Sequence, residues 1–165
     1  MNQSIERTTL SNLVANEEYC RKVLPFIKPD YFDIKEERVV FEEITNFVDK
    51  YKRIPTKISL EIEVESRKDL TEDQHKKIVE IIQTLDSTEV DMEWLVDTTE
   101  KFCKDKAIYN AIVEGISIID GKDKNRKPDS IPSILTDALA VCFDNAVGHD
   151  YFDDSEKRFD FYHRV

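Results

Sequence analysis

The sequence predicts an all-α fold: a globular helical bundle head over residues 1–90, a helical hairpin over 91–147, and a last helix over 148–165. Three observations carry this. Apolar residues recur three and four apart through nearly every segment, the spacing of an amphipathic helix. One such run, Asp91 to Ile119, continues without a proline for about 29 residues, or roughly 43 Å at 1.5 Å per residue. The single stretch that alternates as a strand would, Ile58 to Ser66, has no second strand to pair with, and a lone strand leaves its backbone groups unsatisfied.

In order along the chain, Ile5 to Ala15 places Ile5, Thr9, Leu10, Leu13 and Val14 at helical spacing. Asn16-Glu17-Glu18 then reads as an N-cap followed by acidic first-turn residues, which suit the positive end of a helix. The second helix turns Tyr19, Cys20 and Val23 inward and is limited by Pro25. Lys28-Pro29-Asp30 forces a turn before Tyr31-Phe32, two aromatics placed to plug a core. A longer helix from about Ile34 to Tyr51 carries Val40, Phe41, Ile44, Phe47 and Val48, and Arg53-Ile54-Pro55-Thr56 ends it. Ile58, Leu60, Ile62 and Val64 alternate strictly, yet helix is the reading taken for that stretch. Thr71 is the N-cap of the next helix, with Gln74 its capping-box partner, and Ile78, Val79, Ile82 and Leu85 face inward.

Asp86 to Val90 is a polar connection into the long helix, whose stripe runs through Met92, Leu95, Val96, Thr99, Phe102 and Cys103. It continues through Ala107, Ile108, Ala111, Ile112, Ile116 and Ile119, until Gly121 supplies a stop. After the solvated loop Lys122 to Lys127, Pro128-Asp129-Ser130 opens a return helix toward Ala146 with the stripe Ile131, Ile134, Leu135, Ala138, Leu139 and Cys142. The two stripes are expected to face each other. Tyr109, Val113, Ile118, Val141 and Phe143 lie off them, and a hairpin buries only one stripe per helix, so the remainder must meet the rest of the chain or a second molecule. The expected self-association surface comprises Ile108, Ile112, Val113, Ile116, Ile118, Ile119, Leu135, Leu139 and Phe143. Gly148-His149-Asp150 breaks the chain, and Asp153-Asp154 can cap a last helix carrying Tyr151, Phe152, Phe159, Phe161, Tyr162 and Val165. Its aromatic face is expected to fold back or to dock on another subunit or a further domain.

The 165 residues are enough to bury roughly 68–70% of the unfolded surface. A net charge of -11 argues against binding of phosphate backbones by the chain as a whole, which needs clustered Lys and Arg. Cys20, Cys103 and Cys142 are widely spaced and odd in number, as suits buried free thiols in a reducing cytoplasm. No apolar run approaches the length of a membrane span and no signal-like segment is visible.

Catalytic patterns fail on inspection. Glu72-x-x-His75 has the spacing of one half of a carboxylate-bridged di-metal site, but such sites use two copies and two further glutamates. His149-Asp150 resembles the centre of a metal phosphohydrolase dyad without the supporting histidines. Gly115, Gly121 and Gly148 each stand alone, so there is no phosphate-cradling loop. The expectation is a chain with no catalytic, cofactor or metal site of its own.

Several short motifs, in order, resemble a known family. Leu10-Ser11-Asn12-Leu13, Val23 to Ile27, Asp30-Tyr31-Phe32, the helix holding Val40-Phe41 and Arg53-Ile54-Pro55 resemble the N-terminal domain of DnaB-type hexameric replicative helicases. Trp94-Leu95-Val96, Thr99-Glu100-Lys101-Phe102, Ile131-Pro132, Ala138-Leu139 and Val147-Gly148-His149-Asp150 with Asp153-Asp154 look like the replicative helicases of T-even-like bacteriophages, and the likeness spans essentially the whole chain. The resemblance implies a helical head, a protruding hairpin, and a linker helix leading to a RecA-like ATPase domain that these residues do not include. It implies that ATP and magnesium are handled by that domain, with most of the DNA contact. It implies self-pairing through hairpins within a hexameric ring, a platform for primase and helicase loader, and, for a phage protein, the host cytoplasm. Two other readings remain: a free-standing all-α adaptor or regulatory protein using the same hairpin surface, and an enzyme with a carboxylate metal site.

Overall fold

Thr56 and Ser59 settle the ambiguous stretch. The computed structural model describes residues 4–86 and 89–143, and there Lys57–Glu65 is a helix. The Thr56 side chain accepts the Ser59 N–H at 3.1 Å, while Ser59 Oγ accepts the Thr56 N–H at 3.0 Å, a capping box that fixes a helix start. Leu60 and Val64, four apart, are both fully buried, so the alternation is half of a helix stripe rather than a pleat.

The regular structure among the described residues is entirely helical: α1 Ile5–Ala15, α2 Glu17–Val23, α3 Lys35–Tyr51, α4 Lys57–Glu65, α5 Glu72–Gln83, α6 Met92–Ile119 and α7 Ile131–Leu139, with 3-10 turns at Leu24–Phe26, Pro29–Tyr31 and Pro128–Ser130. The expected caps at Asn16 and Thr71 form: Asn16 accepts the Tyr19 N–H at 3.1 Å, and Thr71 and Gln74 make the second capping box. Asp91 caps α6 as well, accepting the Trp94 N–H at 3.0 Å.

In the head, α1 lies against α2 and α3, and α3, α4 and α5 pack on one another. Leu10, Leu13, Tyr19, Val23, Phe32, Ile44, Leu60, Ile78 and Ile82 are fully buried in one continuous core. The first half of α6 belongs to that core. Phe102 meets Tyr31 and Phe32 edge-on, with ring centroids 6.4 and 6.1 Å apart, and Phe32 packs on Phe41 at 5.1 Å. Thr99 donates its hydroxyl proton to the Leu95 carbonyl at 2.7 Å, which leaves Tyr19 as donor in the 2.6 Å contact between the two hydroxyls. Burial pushes the Tyr19 phenol up to about 12.

Two charged clusters staple the outside of the bundle. Arg7 on α1 donates to Glu37 Oε2 on α3 at 3.0 Å and to Thr84 Oγ1 just after α5 at 3.2 Å. Arg67 reaches Glu42 and Glu43 at 3.2 Å and grips Asp69 through two hydrogen bonds of 3.0 and 2.7 Å. The Arg67 hydrogen bonds hold the Asp69 carboxyl down at about 2, whereas burial, only partly opposed by Arg67, raises that of Glu43.

α6 ends as Gly121 predicts. Gly121, at φ 73, donates its N–H to the Ile118 carbonyl at 3.1 Å, and Lys122 donates to Ser117 at 3.0 Å, the paired bonds of a Schellman motif. The return helix is shorter than expected, because α7 stops at Leu139 instead of continuing toward Ala146. Phe143 stacks on Phe26 with centroids 4.5 Å apart, and its N–H donates to Glu100 Oε2 at 2.7 Å, so the chain leaves the helix to dock on the base of the hairpin. The expected last helix, with Tyr151, Phe152, Phe159, Phe161 and Tyr162, lies outside the described residues.

Candidate self-association surface

The second half of α6 buries Ala107, Ala111, Gly115 and Ile118 and exposes Tyr109, Ile112, Val113, Ile116 and Ile119. At about 100° per residue the two stripes lie roughly 140° apart around the axis. Up to Gly115 the inner one is made of small side chains, which lets α7 come close. A Cβ added at Gly115 would stand 3.6 Å from Ile131 Cγ2, ordinary contact distance, and Ala138 on α7 is buried as well.

The phase of the hairpin therefore corrects the sequence reading. Ile112, Ile116 and Ile119 were expected on the stripe facing α7 and instead face outward. Ile118 was expected on the self-association surface and is only 4% exposed, against 69% for its neighbour Ile119. The physical reason is helix separation: Ala, Ala and Gly permit a close approach that isoleucines at the same seam would prevent. Of the other expected residues, Ile112, Val113, Ile116, Ile119 and Leu139 are exposed, while Ile108, Leu135 and Phe143 are half-buried against the core. Tyr109 joins the outward stripe, at three and four residues from Ile112 and Val113; its place off the inner stripe was legible, its membership of an outer one was not.

Lys106, Glu114 and Arg126 beside this stripe are paired within the chain, while the exposed Asp120 closes it at the tip. Lys106 pairs with Asp33 at 2.6 Å while its Nζ stands 5.2 Å from the Tyr109 ring centroid. Arg126 pairs with Glu114 and lies 3.9 Å from Asp123, and Asn110 donates to the Asp30 carbonyl at 3.1 Å. The outward stripe thus runs about 15 Å from Tyr109 to Ile119, with apolar side chains and little charge to desolvate on contact.

Among the described residues no group of three His, Cys, Asp or Glu could hold a metal ion, and no helix is long and apolar enough to cross a membrane. Glu72 and His75 line a shallow groove beside α5 rather than an enclosed site. Burial pushes the thiols of Cys20 and Cys103 up to about 12, which keeps them protonated and poorly nucleophilic.

The architecture defines a head-and-hairpin α-domain whose main uncovered feature is a helix stripe rather than a cleft. The family model of the DnaB-like helicase N terminal domain matches residues 1–97, and the chain belongs to that family. It is 32% identical over 157 residues to the DnaB-like replicative helicase of Enterobacteria phage T4, an alignment that takes in 90% of this chain and 33% of the relative. The chain thus spans about a third of the length of the curated relative it matches.

Proposed function

We propose that this chain is the assembly and partner-docking N-terminal domain of an ATP-dependent hexameric helicase that unwinds duplex DNA at a replication fork. The observation that carries the reading is the outward stripe Tyr109, Ile112, Val113, Ile116 and Ile119 on the hairpin of a DnaB-like domain. Two such stripes laid together bury isoleucine against isoleucine with the flanking Lys106 and Arg126 already paired, which favours pairing of hairpins as the step that builds a ring collar. The collar then offers a platform to primase and helicase loader. In this reading ATP, magnesium and most of the DNA contact belong to a RecA-like domain, and the aromatic residues Tyr151, Phe152, Phe159, Phe161 and Tyr162 dock a linker helix on a neighbouring subunit. The place of action is the cytoplasm of the infected host.

Val113→Asp tests the pairing, because Val113 is exposed within one chain and the substitution leaves the hairpin seam intact. Sedimentation velocity over a range of concentrations, with far-UV circular dichroism alongside, should show a parent that associates and a folded variant that does not. A parent that stays monomeric throughout, or a variant that associates like the parent, overturns the proposal. The free-standing adaptor reading is separated from it by the reading frame: a downstream Gly-Lys-Ser/Thr phosphate loop supports the helicase.

A further inference from the structure

Helix α4 is apolar on two faces. Leu60 and Val64 are buried in the head, but Ile58 and Ile62, also four apart, are 68% and 56% exposed. The two apolar pairs are separated around the axis by Glu61 and Glu63, and nothing among the described residues covers the second pair. Glu65 continues the Ile58–Ile62 stripe by one further turn and opens into a shallow groove between α4 and α5 of about 660 Å³. Leu70 and Val79, both half-buried, line its floor. Its rim carries Glu65, Glu72 and Glu80 against the single cation Lys76, and Glu61 and Glu63 flank the isoleucines on α4 itself.

A second copy of the chain is a poor occupant for this face. Pairing α4 with α4 would bring the carboxylates of Glu61, Glu63 and Glu65 toward their equivalents, in a molecule of net charge -11. The stripe on α6 carries a smaller penalty, since Lys106 and Arg126 beside it are already paired inside the chain and Asp120 stands only at its tip. Resting on the reading of this chain as a docking domain, we infer that the α4–α5 face receives an amphipathic, basic helix of a different protein. That helix lays apolar residues spaced three and four apart over Ile58, Ile62 and the groove floor, and sets Lys or Arg against the carboxylate rim. The two faces then divide the work: α6 meets copies of the same chain, and α4 with α5 meets a heterologous partner.

The test uses the whole chain, labelled with ¹⁵N, and two synthetic amphipathic helices, one of leucine and lysine and one of leucine and glutamate. The lysine peptide should bind saturably, shift amides of α4 and α5, and lose roughly tenfold or more in affinity with Ile62→Asp and with Glu65→Lys; the glutamate peptide should not bind. Both substituted side chains are exposed, so circular dichroism should be unchanged. Shifts scattered over every acidic surface and indifferent to the two variants would overturn the inference, as would equal binding of both peptides. So would shifts at Ile58 and Ile62 that grow with protein concentration alone, which would make the occupant a second copy. Failure here leaves hairpin pairing standing, because Val113→Asp is read by sedimentation without any peptide.

Discussion

Replacing Arg7 by methionine strands a buried carboxylate. Glu37 is 2% exposed; its Oε2 accepts the Arg7 Nε–H at 3.0 Å, and its Oε1 has no hydrogen-bond partner within the chain. Breaking a buried pair by removing one member costs about 3–5 kcal/mol, because the remaining charge keeps its desolvation and loses its compensation. The Arg7 side chain is 30% exposed, so water supplies part of the lost interaction, and we expect Arg7→Met to destabilise by roughly 2–3 kcal/mol. Glu37→Leu leaves behind only a half-exposed guanidinium that still reaches Thr84, and should cost less than about 1 kcal/mol. The double variant, with no charge left to bury, should lie near the parent, giving a coupling of about 2–4 kcal/mol. Urea unfolding followed by far-UV circular dichroism measures all four corners, and the single Arg7→Met variant should melt roughly 4–10 °C lower. A Glu37→Leu variant less stable than Arg7→Met, or two single effects that simply add, would refute the reasoning.

The hairpin phase is tested by neighbours: Ile118→Asp buries an unpaired charge and should cost several kcal/mol, while Ile119→Asp should leave the unfolding midpoint within about 0.5 kcal/mol of the parent. Gly121→Val forces a β-branched residue to φ 73 and should lower stability by about 1–2 kcal/mol, with Gly121→Asn much milder by the same measurement. With a disulfide-exchange reagent the partly exposed Cys142 should react first, and Cys20 and Cys103, buried and raised to about 12, only as the chain unfolds. Tyr19 and Tyr31, both raised to about 12 from the ordinary 10.0 mainly by burial, stay protonated in the fold while the unfolded chain ionises. Stability should therefore fall as pH rises from about 10 to about 12, and a urea midpoint that holds constant across that window would contradict it.

Helix starts were legible wherever a short polar side chain precedes an apolar stripe, as at Asn16 and Thr71, because a cap is a local bond between residues three apart. The stop at Gly121 was legible for the same reason. Thr56-x-x-Ser59 offered the same signal and would have removed the strand alternative for Ile58 to Ser66. The candidate surface was only half legible. Ile112, Ile116 and Ile119 read as one stripe with Ala107 and Ala111 by their three-and-four spacing, but which of these residues are buried depends on how near α7 comes. Ala107, Ala111 and Gly115, each four residues from the next, were the available signal for close helix packing. The end of α7 was not legible, since it is set by the docking of Phe143 on Phe26, a contact between residues far apart in sequence.

One rod of 28 residues, α6, has its near end clamped in the head and its far end in the hairpin. The Tyr19–Thr99 contact ties it to α2 near the head end, so any tilt about that point is magnified along the rod. Ile119 lies 20 residues beyond Thr99, about 30 Å along the axis, so a tilt of about 10° there sweeps the tip through about 5 Å. That sideways displacement is about half the distance between two packed helix axes, enough to separate an isoleucine at the tip from whatever it rests on. The packing of Leu95, Thr99 and Phe102 in the head thus sets where the tip of the hairpin stands, far from any residue that the tip itself touches.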